Sequence, residues 1–255
     1  LFRRQLGLDR PLHEQYVDFV WKALHGDFGR SIRTRRQVSR DLAARFPATL
    51  QLAATAMALA ILLGVSAGIV TATKQYSVWD ALASVLSLAG VSMPIFWLGL
   101  MLILVFSVHL GWLPPPGRDS LASVIMPAIA LSTAAAAIIA RQTRSGLLEV
   151  LSQDYVRTAR AKGLRETVIV LRHAIKNAMI PTVTVVGLEF GILLGGSVVT
   201  ETVFSWPGVG RYVVDAVIYR DYPAVRATIL MVSVIFVVVN LLVDLLYAWL
   251  DPRIR

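Results

Sequence analysis

Apolar residues in this chain are gathered into a few unbroken blocks, with the polar residues in the joints between them. Between Arg45 and Lys74 lie 28 residues without a charge, between Asp80 and Arg118 lie 37, and between Asp119 and Arg141 lie 21. Each block reaches the ~20 residues that carry an α-helix through ~30 Å of hydrocarbon. The first predicts a span over residues 46–73, entered through Pro47, whose missing N–H costs nothing in a first helical turn. The second is too long for one crossing, and "GVSMP" divides it into a tilted or interfacial lead-in over 81–88 and a span over 94–110. The third block predicts a span over 120–140. Two later blocks, interrupted by Glu189 and by Asp244, predict a fourth span over 180–200 and a fifth over 224–250. A membrane barrel would need alternating segments of about ten residues. These blocks are continuously apolar and rich in Ala, Leu and Gly, so the predicted fold class is all-α, a polytopic membrane protein with five spanning helices.

The joints are informative in their own right. Residues 1–45 are polar and basic, with a Gly-rich hinge in "HGDFGRS" and a short amphipathic helix expected around "HEQYVDFVWKAL". "GWLPPPGRDS" is a tight loop, because three consecutive prolines cannot continue a helix. "ETVFSWPGVGRYVVDAVIYRDYP" is a polar, aromatic segment between the fourth and fifth spans.

Composition agrees with the pattern: 56% of residues are hydrophobic, 16% are charged, and the mean hydropathy is +0.65. A soluble domain has about a quarter of its residues charged. Absence of cysteine excludes disulfides and thiolate metal sites. His13, His25, His109 and His173 are scattered without ligand spacing, so no metal site is expected.

The net charge of +9 comes from 21 Arg and 4 Lys divided among separate loops, a distribution suited to membrane lipid and not to nucleic acid. With five spans the termini lie on opposite sides, so the 141–176 loop, Lys74 and the tail share a face carrying 11 Lys or Arg. The other face carries 14, but ten of those fall in residues 1–45, and without that segment the count is 11 against 4. The loop and the C-terminus are therefore expected to be cytoplasmic. The N-terminal segment breaks the rule, as it would if a further upstream helix set the topology.

The most polar joint, "DYVRTARAKGLRETVIVLRHAIKNAMIP", holds six Lys or Arg against two acids. Ser152 is placed to cap a short helix whose first turn holds Asp154. Gly163 suits the left-handed position that ends it, with Arg160 and Lys162 in the last turn. A second helix is expected from about Glu166 to Asn177. Tyr155, Ala159 and Lys162 share a stripe with Thr158 and Ala161 beside it, where small residues admit a close surface and Tyr155 offers an anchor. The residues alone leave two readings open, a docking knob or an amphipathic helix lying in solvent or among headgroups.

This segment resembles the cytoplasmic EAA loop of bacterial ABC importer permeases, in the form found in the dipeptide, oligopeptide and nickel permease family. Thr158 and Ala159 stand where that motif has two alanines before its glycine, here Gly163. Arg157 replaces its acidic residue and Lys176 its later proline, departures usual in the peptide branch. "RRQLGLDRPLHEQYVDFV", "GDFGRSIRTRRQV", "SMPIFWLGL", the segment from Glu201 to Pro223 and "NLLVDLLYAWLDPRIR" resemble the first of the two permeases of such systems.

The resemblance implies a type I ABC importer transmembrane domain (MetI-like) over residues 46–255, with 1–45 an external segment following a first helix that this chain lacks. It implies a bacterial inner-membrane subunit forming half of a path for di- or oligopeptides. The implied partners are a second permease subunit, two ATPase subunits that bind ATP and Mg, and an extracytoplasmic solute-binding protein. Tyr155, Thr158, Ala159, Arg160, Ala161, Lys162 and Gly163 would be the ATPase-coupling residues. Catalytic residues are not expected: the chain has no GxxxxGK[ST], HExxH or GxSxG sequence.

A carboxylate midway along a span is a functional candidate or a neutral group bonded to a neighbouring helix or to the partner subunit, and Glu189, with Pro94, is assigned to the translocation path. Pro127, Pro181, Gly187, Gly191, Gly195 and Gly196 are taken as packing and kink devices. "SWPGVG" and Tyr212 are read as structural or gating, and Asp244 as a snorkelling or locally paired acid. A secondary transporter or channel would need a coupling-ion site, often across inverted repeats, and the chain offers one central carboxylate and no repeat.

Overall fold

The computed structural model describes residues 11–250, with the side chains at 244 and 246–250 outside the description. The Asp244 reading and the segment before Pro11 therefore fall outside the described residues.

Helix α1 (Leu12–Leu24) forms where the amphipathic stretch predicts it, and it leaves Leu12, Tyr16 and Trp21 exposed. The hinge that follows turns at Gly26 and Gly29, both at positive φ (75° and 79°). Helix α2 (Val38–Thr73) is 36 residues long and starts well before the expected entry at Phe46, so Pro47 is interior and not in the first turn. Tertiary burial explains the extension: Val38 and Leu42 are sealed against Val209, Tyr212 and Ala224. Their removal from water outweighs the hydrogen bond that the proline forfeits.

Helices α3 (Val78–Ser92) and α4 (Ile95–His109) meet at an angle of 106°. Met93, as the residue before a proline, is driven to an extended conformation (ψ 128°), and the helix breaks there as "GVSMP" suggests. The lead-in is longer than expected, a full helix in place of 81–88, and its start is capped by the Ser77 hydroxyl, which accepts from Asp80 N at 3.2 Å. The last turns of α4, Ile103–His109, are wound as a π-helix.

A 3₁₀ turn (Leu121–Val124) leads into α5 (Ile125–Leu151), which runs past the expected end at Ala140. Arg141 and Arg144 therefore stand on a helix and not in a loop, and Arg144 binds the mostly buried Asp80 of α3 at 3.0 Å. The short helix α6 (Asp154–Ala161) follows. Next comes α7 (Glu166–Gly196), which fuses the expected second loop helix with the fourth span and is π-wound over Ile169–Ala174. It stops at Gly196, short of Thr200, and α8 (Val198–Val203) and α9 (Val209–Ile218) fold the next joint back on the bundle. Helix α10 (Tyr222–Leu250) ends the described chain.

Among the described residues four helices, α2, α5, α7 and α10, are long and apolar enough to cross a membrane, and the bent α3–α4 pair makes a fifth if counted as one span. The α2–α5 pair is the centre of the bundle, with Ala53, Ala56 and Ala60 of α2 facing Leu131, Ala135 and Ile139 of α5. Small residues let the backbones approach. A Cβ on Gly64 would lie 2.7 Å from the Ala136 carbonyl, and one on Gly68 would lie 2.5 Å from Thr143 Cβ. The α7–α10 seam has the same basis at Gly187 and Gly191, which face Val243 and Phe236 as packing devices, whereas nothing approaches Gly196 within 4 Å.

Candidate coupling surface and transport path

At one end of the bundle, α6 hangs between the ends of α5 and α7. Ser152 does not cap it: its hydroxyl donates to the Glu149 carbonyl at 2.7 Å, closing α5, and Gln153 holds the N-cap position without a side-chain bond. The other end forms as the glycine predicts. Gly163 has φ +77°, its N–H donates to the Arg160 carbonyl at 2.9 Å, and Leu164 N–H donates to that of Ala159 at 3.4 Å. These two bonds are the paired closure in which a left-handed residue satisfies the last carbonyls of a helix. No atom lies within 4 Å of a Cβ at Gly163, so glycine is needed there for its backbone angle and not for close approach.

The expected stripe divides. Ala159 turns inward with the fully buried Val156, against Ile169 and Leu151. Asp154, Arg157, Thr158, Ala161 and Lys162 stay exposed. Tyr155 is 43% exposed, yet its hydroxyl accepts from Asn177 Nδ2 at 3.0 Å and lies 3.5 Å from the His173 carbonyl, to which it donates. Arg160 donates to both Glu166 oxygens, at 2.7 and 3.4 Å, a bond that raises its already high pKa.

The two path candidates stand apart from this surface. Pro94 is exposed at the α3–α4 corner. Glu189 is half-buried on α7 between the two glycines of the α10 seam, and no described residue hydrogen-bonds or pairs with its carboxylate.

The opposite end holds a residue that sequence reasoning passed over. Glu201 has no exposed surface. Its carboxylate accepts from Thr49 Oγ1 at 2.7 Å, Ser197 Oγ at 3.0 Å and Arg211 N–H at 2.9 Å. "SWPGVG" wraps around it: Trp206, fully buried, donates its Nε1–H to the Ala48 carbonyl at 2.8 Å, and Val209 N–H donates to Thr49 Oγ1 at 2.8 Å. A second clasp lies beside it, where buried Asp221 accepts from the Ser31 hydroxyl and from Ile32 N–H at 3.1 Å. Tyr212 is buried under the Arg45 guanidinium, 4.5 Å from its ring. The available signal was an acid a few residues before the glycines of "SWPGVG", which points to close backbone approach only once the fold is known.

Comparison with known proteins places this geometry. Residues 60–255 match the family model described as binding-protein-dependent transport system inner membrane component. The chain is 51% identical over its whole length, and over 83% of theirs, to the glutathione transport system permease proteins GsiC of Escherichia coli (strain K12) and Salmonella typhimurium (strain LT2). Among solved structures it superposes on the inward-facing MetNI methionine ABC transporter with a TM-score of 0.69 at 17% identity, covering 82% of this chain and 96% of that one. An amino acid ABC transporter gives 0.61 at 18% identity over 84% and 94%. At such identities the two structures speak for the fold, and both carry the helical arrangement expected here. The chain therefore belongs to the binding-protein-dependent transport system inner membrane component family, and it is not an enzyme but a multi-pass inner-membrane permease subunit of an ATP-driven ABC importer, working with ATPase and solute-binding subunits.

Proposed function

We propose that this permease imports short peptides of the glutathione class and receives the work of ATP hydrolysis through α6. The observation that carries the coupling reading is the way α6 is presented: an eight-residue helix at the end of the bundle, sealed on its inner side by Val156 and Ala159 and open along Asp154, Arg157, Thr158, Ala161 and Lys162. An ATPase subunit would seat on that open side, with ATP and Mg held in the ATPase subunits. Closure of the ATPases then becomes rigid-body motion of packed helices. This places α6 and the C-terminus in the cytoplasm and the Glu201 clasp outside, where a solute-binding protein delivers substrate.

A second permease subunit completes the path. Only 11% of the apolar stretch of α10 is buried within this chain, against 56% for α5, which leaves most of α10 to lipid and to a neighbouring subunit. Glu189, unpaired here and placed mid-span, would face the shared path and meet a peptide ammonium group.

The substrate reading rests on similarity over the whole chain to the GsiC permeases. In cells lacking their own peptide importers, the complete system is expected to take up labelled glutathione, with competition from short peptides. Nickel uptake without either would overturn it. Ala161→Trp, on the open side of α6, is expected to lower uptake by about tenfold or more, because a blocked hot spot costs over ~1.4 kcal/mol. Full uptake by that variant would remove the docking role. Glu189→Gln is expected to change the apparent affinity for peptide while leaving the complex assembled, and unchanged transport kinetics would remove Glu189 from the path.

A further inference from the structure

Tyr155 and Arg160 are the two largest polar side chains at the ends of α6, and a docking helix would be expected to offer them to its partner. Both instead point back into the chain. Arg160 reaches over the Gly163 turn to Glu166 at 2.7 Å, and the Tyr155 hydroxyl meets Asn177 at 3.0 Å. Every polar side-chain contact leaving α6 goes to α7, at Glu166, His173 or Asn177. The end of α5 contributes Leu151 to the apolar cluster and the covalent link.

The two contacts bracket an unusual stretch of α7. Glu166 lies before the π-helical residues Ile169–Ala174 and Asn177 just after them. A π turn is wider than an α turn, holds its carbonyls less well, and is a place where a helix can change register or bend. It is also seated in the bundle, since Val170 and Ala174 pack with Ala72 of α2 and Leu147 of α5. With α6 tied on both sides of it, the turn is splinted.

We infer that Arg160–Glu166 and Tyr155–Asn177 are two straps that make α6 and the π turn of α7 one mechanical piece, so that force on α6 enters the membrane through α7 and the helices packed on it, by way of the Gly146–Ala178 contact with α5 and the glycine seam with α10. The inference rests on the reading of α6 as the docking helix, and it takes Tyr155 and Arg160 out of the contact surface to make them positioning residues. Both members of the ion pair are exposed, with side-chain accessibilities of 43% and 62%, and exposed pairs add little to stability. Breaking it will not unfold the helix, so a loss of function with the ATPase subunits retained comes from lost transmission.

The test uses the whole importer in proteoliposomes, with ATP hydrolysis, uptake and retention of the ATPase subunits measured together. Arg160→Glu and Glu166→Arg are each expected to keep the ATPase subunits and their hydrolysis while lowering substrate moved per ATP about fivefold, and the double reversal to restore most of it. Tyr155→Phe with Glu166→Ala, which removes both straps without reversing a charge, is expected to uncouple more than either change alone. If the double reversal fails to recover and the ATPase subunits are lost with Arg160→Glu, Arg160 touches the ATPase directly and the strap is overturned while docking stands. If reversals and strap removal leave the transport ratio unchanged, the straps carry no force and the inference is overturned. Failure of the docking reading itself registers separately, as full coupling by Ala161→Trp.

Discussion

Replacing Gly208 by alanine should be among the most damaging single-methyl changes in this protein. The new Cβ would sit 2.3 Å from Cδ and both oxygens of Glu201. A flexible side chain could swing away, but this one has no exposed surface and is held by Thr49, Ser197 and the Arg211 amide. The φ of Gly208 is −97°, allowed to any residue, so the cost is wholly one of space. Overpacking of this kind costs ~1–3 kcal/mol, and displacing the carboxylate forfeits charge-assisted bonds worth ~1.5–3 kcal/mol each. The expected result is a loss of several kcal/mol, read as a lower Tm of the purified complex and a smaller folded yield. Glu201→Ala should be of similar severity for a different reason, since it strands the Thr49 and Ser197 hydroxyls and the Arg211 N–H in a dry site. The pair Gly208→Ala with Glu201→Asp, where the shorter acid withdraws from the methyl, should cost less than the sum of its parts. An unchanged Tm for Gly208→Ala would mean that the clasp does not hold the joint between α7 and α10.

The second large effect is expected at the α2–α5 seam. At Gly68 an added Cβ meets Thr143 Cβ at 2.5 Å and the Ala140 carbonyl at 2.7 Å, and at Gly64 it meets the Ala136 carbonyl at 2.7 Å. The obstacles are two backbone carbonyls and the β-branched carbons of Ile139 and Thr143, none of them the far end of a flexible side chain, so relief requires the helices to part. In lipid, helix association depends on such close packing, because burial of apolar surface between helices gains little over burial in acyl chains. Gly64→Leu with Gly68→Leu should prevent assembly of the central pair, measured as loss of monodisperse complex after solubilisation. Gly196→Ala supplies the contrast: with nothing within 4 Å, it should change Tm little. If Gly196→Ala proved as harmful as the seam changes, close packing would not be what distinguishes these glycines.

How much of the molecule was legible in the chain depends on the range of the interaction concerned. The apolar blocks gave the spans, and Pro94 and Gly163 placed a bend and a helix end, because hydrocarbon thickness and backbone sterics act within a few residues. The entry of α2 was misplaced by local reasoning: Pro47 looks like a first-turn residue until Val38 and Leu42 find Val209 and Tyr212 some 170 positions away. The extension of α5 past Ala140 hides in the same way, since Arg141 and Arg144 look like loop charges until Asp80 is seen beside Arg144.

Helix α6 shows the same limit at the scale of one face. Spacing put Tyr155, Ala159 and Lys162 on one stripe but could not say which way the stripe faces. Packing turns Ala159 inward on Ile169 and ties Tyr155 to Asn177, leaving Lys162 outside. Glu201 was invisible as a site, because its three hydrogen-bonding partners come from α2, from the end of α7 and from the start of α9.

By itself, the sequence determined that this is an all-helical membrane protein with a polar, basic joint after its third span, since the cost of exposing backbone and charge to hydrocarbon is set by composition and local order. Tertiary structure alone decided which side of α6 is open, why Gly64, Gly68 and Gly208 admit no side chain, and where the buried acid is held. Those are matters of atoms distant in sequence meeting at van der Waals contact, and no periodicity within a helix encodes the residue it will meet.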